Sequence, residues 1–265
     1  MHKHTLRNIF VLAALLCAGV AHAQNVGVDP VQYSVVPETP GPNSPVQISM
    51  SGVGPFLGDA TVVWSVNGKP VESGVGLSSF SLTTGAIGTQ TVVGVTIVSS
   101  TQGTITHTFV FTPSTVDLMW ESDTSVPPLY RGHALYSAGA PLTVVAFPTV
   151  VAKGKRVAAG SLSYQWTVND TPLPQSSGTG KYVLSFNGDQ LQSSEHVAVD
   201  VYLGSLKVGH ADLVVPAATP QLVLYYKDPL RGVVWDEALG SSIALTGSEI
   251  SVQAQPYYFS HTGGA

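Results

Sequence analysis

A hydrolytic centre needs a nucleophile beside a base, or two carboxylates facing one substrate. The residues that could supply either are present here but dispersed. His107, His133, His196, His210 and His261 stand singly along the chain, and no serine sits in a Gly-x-Ser-x-Gly elbow. His196 follows Glu195 and His210 lies two residues before Asp212, but both pairs fall at expected strand ends, where exposed charges are the plainer reading. No His-x-x-x-His and no acidic pair at ligand spacing favours zinc, so no metal and no cofactor is implied. Asp117, Glu121 and Asp123 offer hard oxygen ligands with which calcium could stiffen a hinge. They lack the density of carboxylates and the glycine of a calcium loop, which leaves solvated charges as the simpler account. Aromatic rings are the other resource. Trp120, Tyr130 and Tyr136 in one stretch, and Tyr225, Tyr226 and Trp235 in another, recur at the same stage of a repeat. Exposed together, such rings could stack on sugars or anchor a protein, and Trp120, Tyr130 and Trp235 are the candidate binding residues. The competing reading packs these rings in cores or at seams between modules.

The elements that must position these residues are strands. Tyr164-Gln165-Trp166-Thr167-Val168-Asn169-Asp170 repeats Val62-Val63-Trp64-Ser65-Val66-Asn67-Gly68 at an offset of 102 residues. In each copy an apolar/polar alternation carries a tryptophan inward and then breaks at Asn-Gly or Asn-Asp, which tolerate positive φ and favour a turn. A second alternating strand follows: Val93, Val95 and Ile97 lie 29, 31 and 33 residues after Trp64, and Val197, Val199 and Val201 lie 31, 33 and 35 after Trp166. One inward tryptophan per unit of roughly 100 residues suits an immunoglobulin-like sandwich, in which such a ring fills the gap between two sheets. Trp64 and Trp166 are therefore expected in separate cores. The stretch from 37 to 45 carries four prolines and is read as a loop, and residues 51–58 as a turn toward the first tryptophan strand. An insertion at residues 148–160 holds Lys153, Lys155 and Arg156 and reads as an exposed loop, with docking of an acidic partner as the alternative.

Lys3 and Arg7 precede an apolar run at residues 9–20 that ends at Ala21-His22-Ala23, the pattern of a secretory signal peptide. Twelve apolar residues fall short of the about 20 that span a membrane. Cys17 raises lipid attachment as an alternative, although Leu16 stands where a small residue belongs. Cleavage before Gln24 removes the only cysteine, leaving no disulfide and no thiolate. Nine of the eleven Lys and Arg then remain against sixteen Asp and Glu, a net charge near −7. That balance excludes a nucleic-acid partner and is not basic enough for a membrane surface. At 44% hydrophobic residues the chain is too apolar to be disordered.

Past a proline-bearing linker at residues 216–220 the pattern restarts: Gln221-Leu222-Val223-Leu224-Tyr225-Tyr226 parallels Val116-Asp117-Leu118-Met119-Trp120, and Ile250-Ser251-Val252-Gln253-Ala254-Gln255-Pro256 parallels Leu142-Thr143-Val144-Val145-Ala146-Phe147-Pro148. Two strands of a seven-strand unit cannot close a core. Continuation of the chain past Ala265 is the expectation, with strand partners found elsewhere as the alternative.

With its Trp-x-Val-Asn strands, its Val-x-Val-x-Ile/Val strands and their period, the chain resembles tandem bacterial immunoglobulin-like or PKD-type modules of exported surface proteins. Asn67-Gly68-Lys69 and Asn169-Asp170-Thr171 stand where the PKD group usually carries an Asp- and Gly-rich turn. The resemblance implies an all-β chain of tandem immunoglobulin-like β-sandwiches after an N-terminal signal peptide. The expected division is signal peptide 1–23, first module 24–113, second module 114–218 and an incomplete third module 219–265. It further implies a secreted or cell-surface, non-enzymatic structural or adhesive stalk, with a cell-surface protein or glycan as possible partner. A carbohydrate- or protein-binding accessory module using the junction aromatics is the alternative.

Overall fold

The computed structural model describes residues 30–52, 56–127, 130–243, 247 and 249–261. The expected signal peptide lies outside the described residues. Strands β1 (Val31–Val36), β2 (Pro45–Gly52), β3 (Thr61–Val66), β4 (Lys69–Val75), β5 (Ser79–Thr83), β6 (Thr91–Ser99) and β7 (Gly103–Phe111) build the first unit. They form two antiparallel sheets, ordered β1-β2-β5 and β4-β3-β6-β7. The alternation of β2 turns Val46, Ile48 and Met50 inward, and that of β6 turns Val93, Val95 and Ile97 inward to meet them. Trp64 fills the space between the sheets, fully buried and stacked on Phe80 at 5.1 Å. Residues 56–58, read from sequence as part of a turn, belong to a one-turn helix, α1 (Phe56–Asp59), that buries Phe56 and Leu57 against the same core.

The second unit repeats this arrangement with β8 (Thr115–Ser122), β9 (Pro141–Thr149), β10 (Val151–Ala152), β11 (Lys155–Arg156), β12 (Ser163–Val168), β13 (Thr171–Pro172), β14 (Gly178–Thr179), β15 (Val183–Asn187), β16 (Ser194–Leu203) and β17 (Leu206–Pro216). Its sheets run β15-β9-β8 and β13-β12-β16-β17, with β14 on β12. Trp166 lies in its own core with Leu142, Val144, Leu184, Val197, Val199 and Val201. The two tryptophans are thus separate plugs in separate interiors. Trp64 pairs across the sheet with Val95 and Trp166 with Val199, which is the register the repeat spacing requires. The insertion expected as a loop at 148–160 is partly ordered: β9 continues to Thr149, β10 and β11 form a hairpin, and the chain returns over β9 where Val157 N donates to Val150 O at 2.8 Å.

The Trp-x-Val-Asn motif has a local physical reason. Asn67 and Gly68, and Asn169 and Asp170, all hold positive φ and close the β3–β4 and β12–β13 hairpins. Each asparagine also reaches sideways. Asn67 Oδ1 accepts from Val92 N at 3.0 Å and Asn169 Oδ1 accepts from His196 N at 2.9 Å, pinning the strand that flanks the tryptophan.

Beyond Pro220, β18 (Gln221–Asp228), β19 (Gly232–Ala238) and β20 (Val252–Tyr257) form one sheet ordered β19-β18-β20. Three strands stand where the repeat predicts two. The extra one arises because Asp228 Oδ1 accepts from Leu230 N and Arg231 N, both at 2.8 Å, and Gly232 takes positive φ, closing a hairpin that the second unit lacks. No helix among the described residues is long and apolar enough to cross a membrane.

Candidate binding surfaces at the module junctions

The three candidate aromatics occupy three different settings. Trp120, on β8, is partly buried against the second core, with His133 edge-on at 4.3 Å. Tyr130 stands 40% exposed on the loop between β8 and β9, its ring lying over Gly132. Trp235, on β19, is 46% exposed and packs on Tyr225 at 5.1 Å. No ring contact among the described residues joins any two of the three. Tyr225 is itself buried and its hydroxyl shares a 3.0 Å hydrogen bond with that of Tyr257, whose ionisation is pushed up to about 12 by burial and by that bond.

Tyr136, grouped with these rings by sequence, is instead fully buried. Its hydroxyl donates to Glu195 Oε1 at 2.8 Å, and burial, then this bond, push its ionisation up. Glu195 is not an exposed strand end, as the sequence suggests, but 1% exposed. Its carboxylate is compensated: Oε1 also accepts from Asp189 N at 2.6 Å and Oε2 from Asn169 Nδ2 at 2.6 Å. A carboxylate so fully engaged ties Tyr136, Asp189 and Asn169 to the start of β16. Nothing local in the sequence could have flagged the pair, which is separated by 59 residues.

The histidines that look isolated in sequence meet on the outer face of β16 and β17. Antiparallel register sets Asp200 opposite His210 and Ala198 opposite Asp212, so the outward side chains form one charged strip. His210 Nδ1 lies 2.7 Å from Asp200, while Asp212 lies 3.5 Å from His196 and 3.8 Å from His210. The strip continues across the first junction: Lys207 Nζ bridges Asp200 at 3.0 Å and Glu38 of the first unit at 2.9 Å. Burial opposes the charge of Lys207, but its bonds to Glu38 and Asp200 outweigh that and hold its ionisation above the ordinary value. Among the described residues, no three His, Cys, Asp or Glu side chains converge as metal ligands. Of the calcium candidates, Asp117 and Glu121 are exposed on β8 and Asp123 pairs with His261 at 2.7 Å.

Both junctions are built contacts. At the first, a Cβ on Gly88 would lie 2.6 Å from Val151 of the β10–β11 hairpin, so only glycine permits that approach. A cleft of about 500 Å³ opens there between Glu38, Gln90, Val110, Val151, Leu206 and Lys207. At the second, Ser125 N donates to Phe259 O at 2.9 Å, Tyr258 N donates to Ser125 O at 2.7 Å, and Thr124 pairs with Ser260. The third sheet leaves Leu222, Leu224 and Val252 exposed on one face. Their register partners in the second unit's scheme, Leu118 with Ala146 and Trp120 with Val144, face a core.

No known sequence family matches the chain, and no curated protein does. Solved structures do. The fibronectin(III)-like modules of Clostridium thermocellum CbhA are 10% identical, with 70% of this chain and 94% of that one covered at a TM-score of 0.31. The central fibronectin-III array of RIM-binding protein is 14% identical over 78% and 79% at 0.24. The three N-terminal domains of the bacteriophage RB49 highly immunogenic outer capsid protein are 11% identical over 73% and 59% at 0.28. The paired sheets described above, not these matches, make the chain all-β with tandem immunoglobulin-like β-sandwich modules.

Proposed function

We propose that the chain is a non-enzymatic structural or adhesive stalk of an exported bacterial surface protein, with the module boundaries expected from its repeat. The observation that carries this reading is the pinned junction. A stalk must hold the angle between its segments, and here Lys207 reaches Glu38 of the neighbouring module while Gly88 seats against Val151. Among the described residues the one well-buried carboxylate, Glu195, is engaged in holding Tyr136, Asp189 and Asn169, which favours mechanics over catalysis.

Small-angle scattering of the mature chain tests the geometry. A rigid junction is expected to give one narrow distance distribution at low salt, and Val151→Trp, which crowds Gly88 without changing a residue at positive φ, is expected to shift it while both modules stay folded. A wild-type distribution as broad as that of freely jointed modules would sink the stalk reading. Display is tested by protease treatment of intact cells, which is expected to release the chain; full protection would refute surface exposure.

The alternative, a binding module for a glycan or a cell-surface protein, draws support from the exposure of Tyr130 and Trp235. Tryptophan fluorescence titration with oligosaccharides distinguishes it. A saturable change abolished by Trp235→Ala favours this reading, and no change in either protein removes it.

A further inference from the structure

A second pocket, of about 330 Å³, lies at the edge of the second module, beside the β10–β11 hairpin whose Val151 meets Gly88 at the first junction. Ala146 and Pro148 of β9 are buried beneath it, and Phe147, Val157 and Tyr182 help to line it. Phe147 and Tyr182 remain 48% and 39% exposed, a large apolar area to leave at the surface. The scaffold is fixed. Ala146 N donates to Tyr182 O at 2.9 Å, and the β10–β11 hairpin turns at Lys153 and Gly154, both at positive φ, to bring Arg156 to the rim.

Arg156 is the one charged residue that lines this pocket. Its guanidinium makes a 3.3 Å hydrogen bond to Thr149 Oγ1, and no carboxylate among the described residues lies within ion-pair distance of it. Lys153 and Lys155 share its hairpin, so three cations gather locally in a chain whose formal net charge is −5. A guanidinium whose fork is largely free, set beside an apolar hollow with two partly open rings, matches a particular ligand shape. The lining offers too few hydrogen-bonding groups to suit a hydroxyl-rich sugar, and its apolar character does not suit a bare inorganic anion.

We infer that this pocket binds an amphipathic carboxylate, its aryl or alkyl body in the hollow that Phe147, Val157 and Tyr182 help to line and its carboxylate on the Arg156 fork. This goes beyond the stalk reading and does not depend on it. The carboxylate has two possible sources, a free small acid or the C-terminus of a peptide ending in an apolar residue.

The test is a chemical-shift titration of the whole mature chain with 3-phenylpropionate. Saturable shifts confined to Phe147, Arg156, Tyr182 and their neighbours are expected, with a Kd on the order of 1 mM for a ligand of this size. The uncharged 3-phenylpropionamide is expected to bind at least about tenfold more weakly, as is 3-phenylpropionate to Arg156→Gln. Arg156→Lys, which keeps charge but loses the fork, is expected between the two. An acetylated dipeptide ending in phenylalanine assigns the source: tighter binding than the free acid points to a chain terminus, weaker binding to a small acid. The inference is overturned by an absence of saturable shifts up to about ten times that Kd, by equal binding of acid and amide to the wild type, or by undiminished binding in a folded Arg156→Gln protein. The acid–amide comparison needs no variant, so it decides the matter even where a substitution disturbs folding.

Discussion

Exchanging each core tryptophan for phenylalanine should affect the two modules unequally, although the two residues hold equivalent places. Both indoles are buried to within 1%. Their polar edges differ. Trp166 Nε1 donates to Lys181 O at 2.7 Å, whereas Trp64 Nε1 is buried with no hydrogen-bond partner among the described residues. Phenylalanine removes the same volume at either site, so the packing loss is shared and cancels in the comparison. At position 166 the change also forfeits a buried hydrogen bond, a net loss of about 1 kcal/mol. At position 64 it deletes a donor whose desolvation is uncompensated, recovering about 1–3 kcal/mol. Trp166→Phe is therefore expected to destabilise its module by about 2–4 kcal/mol more than Trp64→Phe destabilises the other. For modules of this length that is a gap on the order of 10–20 °C in midpoint. Calorimetry of the chain is the assay, each substitution moving the transition of its own module, with urea melts followed by circular dichroism as a second measure. Equal losses, or a larger loss at position 64, would refute the reasoning.

The motif asparagines give a second comparison. Asn67→Asp keeps the acceptor that Val92 N uses and should change stability by less than about 0.5 kcal/mol, whereas Asn169→Asp sets a carboxylate against buried Glu195 and should cost at least about 2 kcal/mol by thermal melts. That penalty should shrink as pH falls, since protonating either acid restores a donor. Burial first, then Tyr182, pushes the Tyr164 phenol up to about 12, as burial and Tyr225 do for Tyr257. A raised folded-state value means stability intact below pH 10 and lost as pH climbs toward 12; phenolate absorbance should show these groups ionising late, together with unfolding. Lys207→Ala and Glu38→Ala should couple by about 0.5 kcal/mol in a double-mutant cycle, vanishing in molar salt; Glu38 is too exposed for more.

The parts of the fold that could be read from sequence are those where burial alternates. Val62, Trp64, Val93, Val95 and Ile97, with their counterparts near Trp166, carry the register on their faces because every second residue meets the core. Strand β4 leaves almost every residue exposed and β19 buries none, so neither shows a period. The surface was harder still. His196, His210, Asp200 and Asp212 become neighbours only when β16 folds back along β17, and Glu195 finds Tyr136 only through a long loop. Recurrence in the repeat picks out Trp120, Tyr130 and Trp235, but no ring contact among the described residues joins them. For the Arg156 pocket the sequence offers only a basic cluster in an acidic chain; Phe147 and Tyr182 are brought to its lining by the pairing of the chain around β15 with β9.

One letter shared by both copies conceals two duties. In the first module the motif asparagine serves the backbone alone, while in the second its amide nitrogen also steadies a hidden anion. Graft the loop of residues 136–140 and its glutamate into the first module and the asparagine there is already poised to receive them. Strip them from the second and that nitrogen loses its tenant. Copies of such a unit are thus interchangeable in outline but not in parts, and a hybrid spliced between Asn169 and Glu195 would inherit a debt that neither parent carries.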